Sequence, residues 1–380
     1  MAPMHYLDYN ASAPLKPAVR EAVLEALTLT GNASSVHMAG RRARAVVEKA
    51  RTQIATMTGV APAQIVLTGG GAEANNMAIG GWRGAVFASV AAHDSVRACI
   101  GRPLIPVDHN GLVDPAALEA ALAVAPAPAL VSVILVNNET GVIQPMADIQ
   151  AIARRFEAKI HVDAVQAAGK LPLDMQALGA DLMSLSAHKI GGPQGVGALI
   201  IAAGTELAPL LRGGGQEQRR RAGTENVAGI AGFGQAATMI EKDLAQQDRL
   251  RIWRDGIEAS IRAGSFSGIP APDAIIAGAG AARAANTSCI IMPGIKGMAQ
   301  VMALDLAGIA VGSGAACSSG KVAASHVLQA MGYDRELAGA AIRISLGWDS
   351  RWEDAEAVAQ NWQMLYQRLR HPAGIRAGTP

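Results

Sequence analysis

Four short stretches carry residues whose types could do chemistry. "SLSAHKIGGPQG" carries Ser186, His188 and Lys189 out of an apolar run into a Gly/Pro turn. A lysine there is either a solvated surface residue or a desolvated amine, and desolvation lowers its pKa and makes it a candidate imine-forming nucleophile. "HVDAVQ" puts Asp163 just past another apolar run. A carboxylate in that place caps the next helix or pairs with a buried cationic nitrogen through a charge-assisted bond. "VLTGGGAEANN" ends an apolar run in three glycines and opens an amphipathic stretch. That is how a backbone approaches a phosphate at a helix N-terminus, although a tight strand-to-helix turn without a ligand uses the same residues. "VGSGAACSSGK" (311–321) places Cys317 among glycine, serine and alanine, with no second Cys or His at metal-ligand spacing. A free thiol is most often a small buried hydrophobe, the reading given to Cys99 and Cys289. The glycines around Cys317 cannot build a core wall but let a loop move, so a nucleophile on a mobile loop, 312–325, is favoured there.

These residues need a scaffold, and the chain supplies one. Apolar runs at 63–71, 84–93, 130–141, 159–169, 180–189 and 195–201 alternate with helix-like stretches such as DPAALEAALA (114–123), entered through Asp-Pro, and MADIQAIARRFEA (146–158). The alternation predicts an α/β fold, a mostly parallel sheet with helices on both faces. In such a sheet ligands bind beyond the carboxyl ends of the strands, where residues 70–72, His93, Asn138, Asp163, Gln166 and Lys189 all fall. A phosphate cradle, a carboxylate for a ring nitrogen and an imine-forming lysine together suit pyridoxal phosphate.

From about residue 245 the pattern changes to a charged amphipathic helix (248–264), strand-like NTSCIIM (286–292), helix-like MAQVMALDLAG (298–308) and strand-like RISLG (343–347). A second, smaller α+β domain is expected, and the Pro/Gly-rich tail 371–380 is expected to be loose.

Composition narrows the function classes. The chain has 380 residues, long enough for two domains, and only 3% aromatic residues, so Ala, Leu, Ile and Val must fill its cores. With 33 basic against 31 acidic side chains there is no global field for a phosphate backbone, and nucleic acid is not an expected partner. No secretory leader and no membrane span are read in the sequence, and the 3 cysteines do not make a disulfide framework, so a cytoplasmic protein is expected.

Taken in order, YLDYNASAP (6–14), NASSVHMAGR (32–41), TGGGAEANN (68–76), VNNETGVIQP (136–145), HVDAVQAAGK (161–170), SAHKIGGPQGVG (186–197), GGGQEQRRRAGT (213–224) and GSGAACSSG (312–320) resemble the cysteine desulfurases of the class V aminotransferase family, the NifS/IscS-like group. The resemblance covers nearly the whole chain. It implies the type I pyridoxal-phosphate transferase fold, with a seven-stranded sheet in a large domain at 13–245 and a small domain made of 1–12 and 246–380. It also implies a homodimer. Lys189 would hold pyridoxal 5'-phosphate and shuttle the substrate Cα proton, Asp163 would bond the ring nitrogen, and Asn138 and Gln166 would address the ring 3-oxygen. His93 would stack on the ring and serve as acid or base. Ser186, His188 and the backbone at Gly71 and Ala72 would hold the phosphate, with Thr224 supplied by the neighbouring subunit. Arg343, with Asn32 nearby, would clamp the carboxylate of L-cysteine.

Cys317 would take the substrate sulfur as a persulfide, leaving alanine, and pass it to an acceptor or scaffold protein for iron–sulfur cluster or other thio-cofactor assembly. No stable metal site is implied; a transient iron–sulfur cluster shared by Cys317 with a scaffold is conceivable. The alternatives within the family are a selenocysteine lyase, a cysteine sulfinate desulfinase and an ordinary aminotransferase; outside it, a silent scaffold for cluster assembly. Ala72 stands where many relatives carry threonine, which leaves only the backbone contact to the phosphate. Ala187 replaces a common glycine, the run at 219–221 is unusually basic, and the tail is shorter than in housekeeping relatives.

Overall fold

The computed structural model describes residues 4–101, 104–265, 267–313, 317–318, 321–322 and 324–370, with the side chains of 317, 318, 321, 322 and 370 left aside. Its strands are β1 (His5–Leu7), β2 (Ile65–Thr68), β3 (Ala85–Ala88), β4 (Ala129–Ile134), β5 (Lys159–Asp163), β6 (Leu182–Ser186), β7 (Gly197–Ile201), β8 (Ile275–Ile276), β9 (Thr287–Ile291), β10 (Ile309–Ser313), β11 (Cys317–Ser318), β12 (Lys321–Val322) and β13 (Ala341–Ser345). The expected loose tail, 371–380, lies outside the described residues, as do 314–316, 319–320 and 323 of the expected mobile loop.

Six strands form one sheet in the order β2-β7-β6-β5-β4-β3. The pairs β3/β4, β4/β5 and β5/β6 are parallel, whereas β7 runs antiparallel to both its neighbours. The seventh place expected from the family fold is held by a single parallel bridge, Ser89 to Ile105, with Ile105 N donating to Ala88 O and Val90 N to Ile105 O. Strands β4, β6 and β7 are buried at every residue, which is why they read as continuous apolar runs rather than alternating ones. Successive side chains still leave opposite faces: Val131 and Val133 join one core cluster, and Leu130 joins another. Helix Gly71–Gly80 covers the second face with Ala74, Met77, Ala78 and Ile79. Helices Met38–Thr58, Met146–Arg155 and Val227–Ala237 cover the first.

The expected helix at 114–123 begins as its sequence predicts. Asp114 caps it by accepting from Ala116 N and Ala117 N, and Pro115 occupies the first turn.

A five-stranded sheet, β1-β10-β13-β9-β8, has its own core around Leu7, Ile257, Ile290, Ile344 and Trp362. Helices Gln247–Ala263, Gly297–Leu306 and Trp352–Arg370 pack on it. The chain begins in this sheet, β1 lying parallel to β10, and by Ala13 its backbone donates to His188 O of the larger sheet's connections. Residues 8–13 therefore cross directly over the carboxyl ends of β5 and β6.

Candidate active site

At that crossing lies a cavity of about 380 Å³, lined from both sheets. From the larger sheet come Gly71 and Ala72 after β2, His93 after β3, Asn138 after β4, Asp163 at the end of β5, Gln166 beyond it, and Ser186, His188 and Lys189 after β6. From the smaller sheet comes Arg343 on β13. Strand ends gather these groups because the parallel strands all finish at one rim.

Lys189 follows β6 through one turn of 3₁₀ helix, Ala187–Lys189. Its Nζ donates to Asn10 O at 2.6 Å and Ala11 O at 2.8 Å. Neither partner is a carboxylate. Burial, with the Arg343 guanidinium adding repulsion and the Asp8 and Asp163 carboxylates opposing it, brings the amine down to about 8. Asp163 is 3% exposed; its Oδ2 accepts from Asn75 Nδ2 at 2.8 Å and its Oδ1 from Val165 N at 3.1 Å. Burial raises its pKa, while His93, these hydrogen bonds and Lys189 act against the rise. His188 is pushed down to about 4 by burial and the Lys189 charge, so it meets a ligand as a neutral ring.

Helix Gly71–Gly80 opens on the cavity, with Gly70 at φ 146° as its first flanking residue. A Cβ on Gly71 would stand 2.7 Å from Val165 Cγ2 and 3.3 Å from Ser186 Cβ, so only a glycine leaves that helix start open as a cradle. Arg343 donates from Nη2 to Asp8 Oδ1 at 2.6 Å and from Nη1 to Asn138 O at 3.0 Å, and its buried Nε makes no hydrogen bond. A guanidinium that lines the cavity and is anchored at both terminal nitrogens suits recognition of a carboxylate. Gln166 donates from Nε2 to Asn10 O at 2.8 Å and accepts at Oε1 from Lys170 Nζ at 2.7 Å.

Two expected residues lie elsewhere in this chain. Asn32 is exposed and turns back so that its Oδ1 accepts from Ser34 N at 2.8 Å, an Asx turn ahead of helix Met38–Thr58. Thr224 lines a separate crevice with Glu217, Arg221 and Glu225. The cysteines divide differently from the expectation. Cys289 is buried, with its thiol pushed up to about 12, as a core thiol should be. Cys99 is exposed, which corrects the buried reading: helix Asp94–Arg97 is a single turn, and the chain beyond it leaves Cys99 on the outside, its Sγ 3.5 Å from Ser95 O.

The side chain of Cys317 lies outside the described residues; its backbone pairs with Val322 in a β11/β12 hairpin. The two ends of its loop rest on Arg343, which lines the cavity, and on Glu139, the residue after the lining residue Asn138. A Cβ on Gly312 would stand 2.7 Å from Asp8 Oδ1 and 2.8 Å from Arg343 Nη2, so the loop leaves from the Arg343–Asp8 pair itself. At the other end Ser325 Oγ donates to Glu139 Oε2 at 2.5 Å, and Ser325 caps helix His326–Ala330. Burial raises Glu139 to about 7, which keeps a large share of it protonated near neutrality.

Several of these groups escaped the sequence reading. Asn10, 1% exposed, takes Lys170 Nζ at Oδ1 and gives its Nδ2 to Asn138 O and Thr287 Oγ1, stitching the two sheets together at the cavity. Asn75 sits four residues after Gly71, on the same helix face, and Lys170 four after Gln166; those spacings were the available signal. Among the described residues no cluster of three or more His, Cys, Asp or Glu could hold a metal, and no helix is long and apolar enough to cross a membrane.

The sequence pattern of the family described as Aminotransferase class-V matches residues 5–358. The chain is 37% identical to the cysteine desulfurase IscS of Dictyoglomus turgidum, over 96% of this chain and 95% of that one. Its fold is similar to a NifS-like protein from Rickettsia africae, with TM-score 0.88 and 34% identity over 96% of this chain and 99% of the other. It is also similar to SspA, solved in complex with cysteine, with TM-score 0.75 and 28% identity over 90% of this chain and 98% of that one.

Proposed function

We propose, for a chain that belongs to the class V aminotransferase family and is a cysteine desulfurase, a division of labour in which the 13–245 part holds pyridoxal 5'-phosphate and the part made of 1–12 and 246–380 brings the thiol that takes the sulfur. The donor set fits that cofactor. A buried carboxylate, Asp163, would hold a protonated ring nitrogen; the open helix start at Gly71 and Ala72, with Ser186 and neutral His188, would take the phosphate; Asn138 and Gln166 would address the ring 3-oxygen. Thr224 of a second subunit would complete the phosphate site in a homodimer. When bound, the cofactor supplies an electron sink for charge developing at the substrate Cα.

The residues of the chain do the rest. Arg343, anchored by Asp8, takes the carboxylate of L-cysteine, with Asn32 as a further polar contact that would have to come from outside this chain's own cavity. Lys189, at about 8, is neutral often enough near pH 7 to accept the Cα proton. His93 moves a proton at the substrate thiol. Cys317 thiolate attacks the substrate sulfur: the Cys317–sulfur bond forms, the carbon–sulfur bond breaks, the β-carbon keeps that electron pair and takes up a proton, and Lys189 returns the proton to Cα. The products are L-alanine and a Cys317 persulfide, which is handed to an acceptor or scaffold protein for iron–sulfur cluster or other thio-cofactor assembly in the cytoplasm, and Cys317 could share a transient cluster there.

The observation that carries this reading is that the Cys317 loop leaves at Gly312, beside Arg343, which lines the cavity in which Lys189 and Asp163 lie. Cys317→Ala should keep the cofactor absorbance and lose alanine release from L-cysteine. Unchanged alanine release would remove Cys317 from the reaction.

A further inference from the structure

His93, Ser95 and Asn75 all line the cavity, and their hydrogen bonds fix one another's directions. Asn75 Nδ2 donates to Asp163 Oδ2 at 2.8 Å and to Ser95 Oγ at 2.8 Å. The amide cannot be turned over, because its oxygen would then face the carboxylate. Asn75 Oδ1 is buried without a partner, so this 1% exposed side chain gives up an acceptor bond to keep both N–H groups where they are. With one lone pair of Ser95 Oγ taken by Asn75, its single hydrogen is free for His93 Nδ1, 2.8 Å away. Ser95 N–H also points at Nδ1, at 3.1 Å. Two donors on Nδ1 leave it no proton of its own.

We propose that Asn75 and Ser95 form a positioning relay that locks His93 as the Nε2–H tautomer and ties its ring to the carboxylate of Asp163. Nε2 makes no hydrogen bond among the described residues, so the ring's mobile proton faces the cavity while its other nitrogen is held. The same Asn75 amide holds Asp163 Oδ2, so the group that would meet a ring nitrogen and the group that would meet the ring face share one anchor. Neither Asn75 nor Ser95 need touch substrate; each acts through its partner. The proposal deepens the role given above to His93 and rests on it only for its effect on turnover.

The test reads the tautomer directly by ¹⁵N NMR of histidine-labelled, cofactor-free protein, with His93 assigned by comparison with His93→Gln. The wild type should show a pyridine-type nitrogen at Nδ1 and a pyrrole-type nitrogen at Nε2. Ser95→Ala, which keeps the backbone N–H but loses the hydroxyl, should move both part of the way toward the exchange-averaged position, Ser95→Thr should restore the wild-type pattern, and Asn75→Ala, which leaves both donors but frees the hydroxyl, should make a smaller move in the same direction. In the holoenzyme, Ser95→Ala should lower kcat for cysteine about tenfold with little change in KM, and Ser95→Thr should recover it. A pyrrole-type Nδ1 in the wild type, or a wild-type pattern in Ser95→Ala protein whose fold is intact by circular dichroism, overturns the relay. Full turnover by His93→Gln would instead remove His93 from the chemistry, and the NMR pattern would decide the relay on its own.

Discussion

Lys16 and Lys189 are both lysines beside a glycine turn near the crossing of the two sheets, Lys16 buried and Lys189 half-buried, and they do opposite things. Lys16 is 2% exposed and sits 2.6 Å from Asp243 Oδ2, so the burial that lowers its pKa is opposed by a carboxylate made for it. Lys189 bonds only to backbone carbonyls of Asn10 and Ala11, with Arg343 adding repulsion, and falls to about 8. Burial alone does not make a lysine reactive; Lys189 differs in that no side chain accepts a hydrogen bond from its amine. Lys170 lies between the two cases. Burial, with repulsion from Lys189 and Arg343, pushes its pKa well down, and two side-chain amide oxygens accept from its amine.

Removing each amine should separate these roles. Lys189→Ala should cost the largest effect, about 10³-fold or more in alanine release from L-cysteine, with the fold intact by circular dichroism. Lys16→Met should leave Asp243 buried without its cation and lower unfolding stability by about 3 kcal/mol in denaturant titration, and Lys16→Met combined with Asp243→Leu should recover most of that loss. Lys170→Met leaves Asn10 Oδ1 and Gln166 Oε1 short of a donor and should cost about 1–2 kcal/mol in the same titration. The smallest effect is on pH. The neutral Lys189 amine is the nucleophile, so the rate at which apoprotein takes up pyridoxal phosphate should rise about fivefold from pH 7 to 8 and level off above pH 8. A rate still climbing tenfold per unit above pH 9 would mean an ordinary lysine.

How far the sequence could be read follows the same physics. Strands β4, β6 and β7 were legible because burial on both faces makes them unbroken apolar runs, and the strand-end residues His93, Asp163 and Lys189 were legible because parallel strands finish at one rim. Helix Val227–Ala237, VAGIAGFGQAA, was not, because its glycines read as breakers; in the fold they allow close packing, and a Cβ on Gly234 would stand 2.6 Å from Ala50 Cα. Asn10, Asn75 and Lys170 were missed because their meaning lies in partners up to 277 residues away in the chain. Cys99 was misplaced because one apolar neighbour on each side looks the same at a surface turn as in a core.

The contrast among these three lysines can be settled in one measurement. Borohydride reduction of the holoenzyme, followed by proteolysis and mass spectrometry, should place a single pyridoxyl adduct on Lys189 and none on Lys16 or Lys170. An adduct on Lys170, or reduction that leaves Lys189 unmodified in protein carrying the cofactor, would contradict the claim that the reactive amine is the one held by no side-chain acceptor.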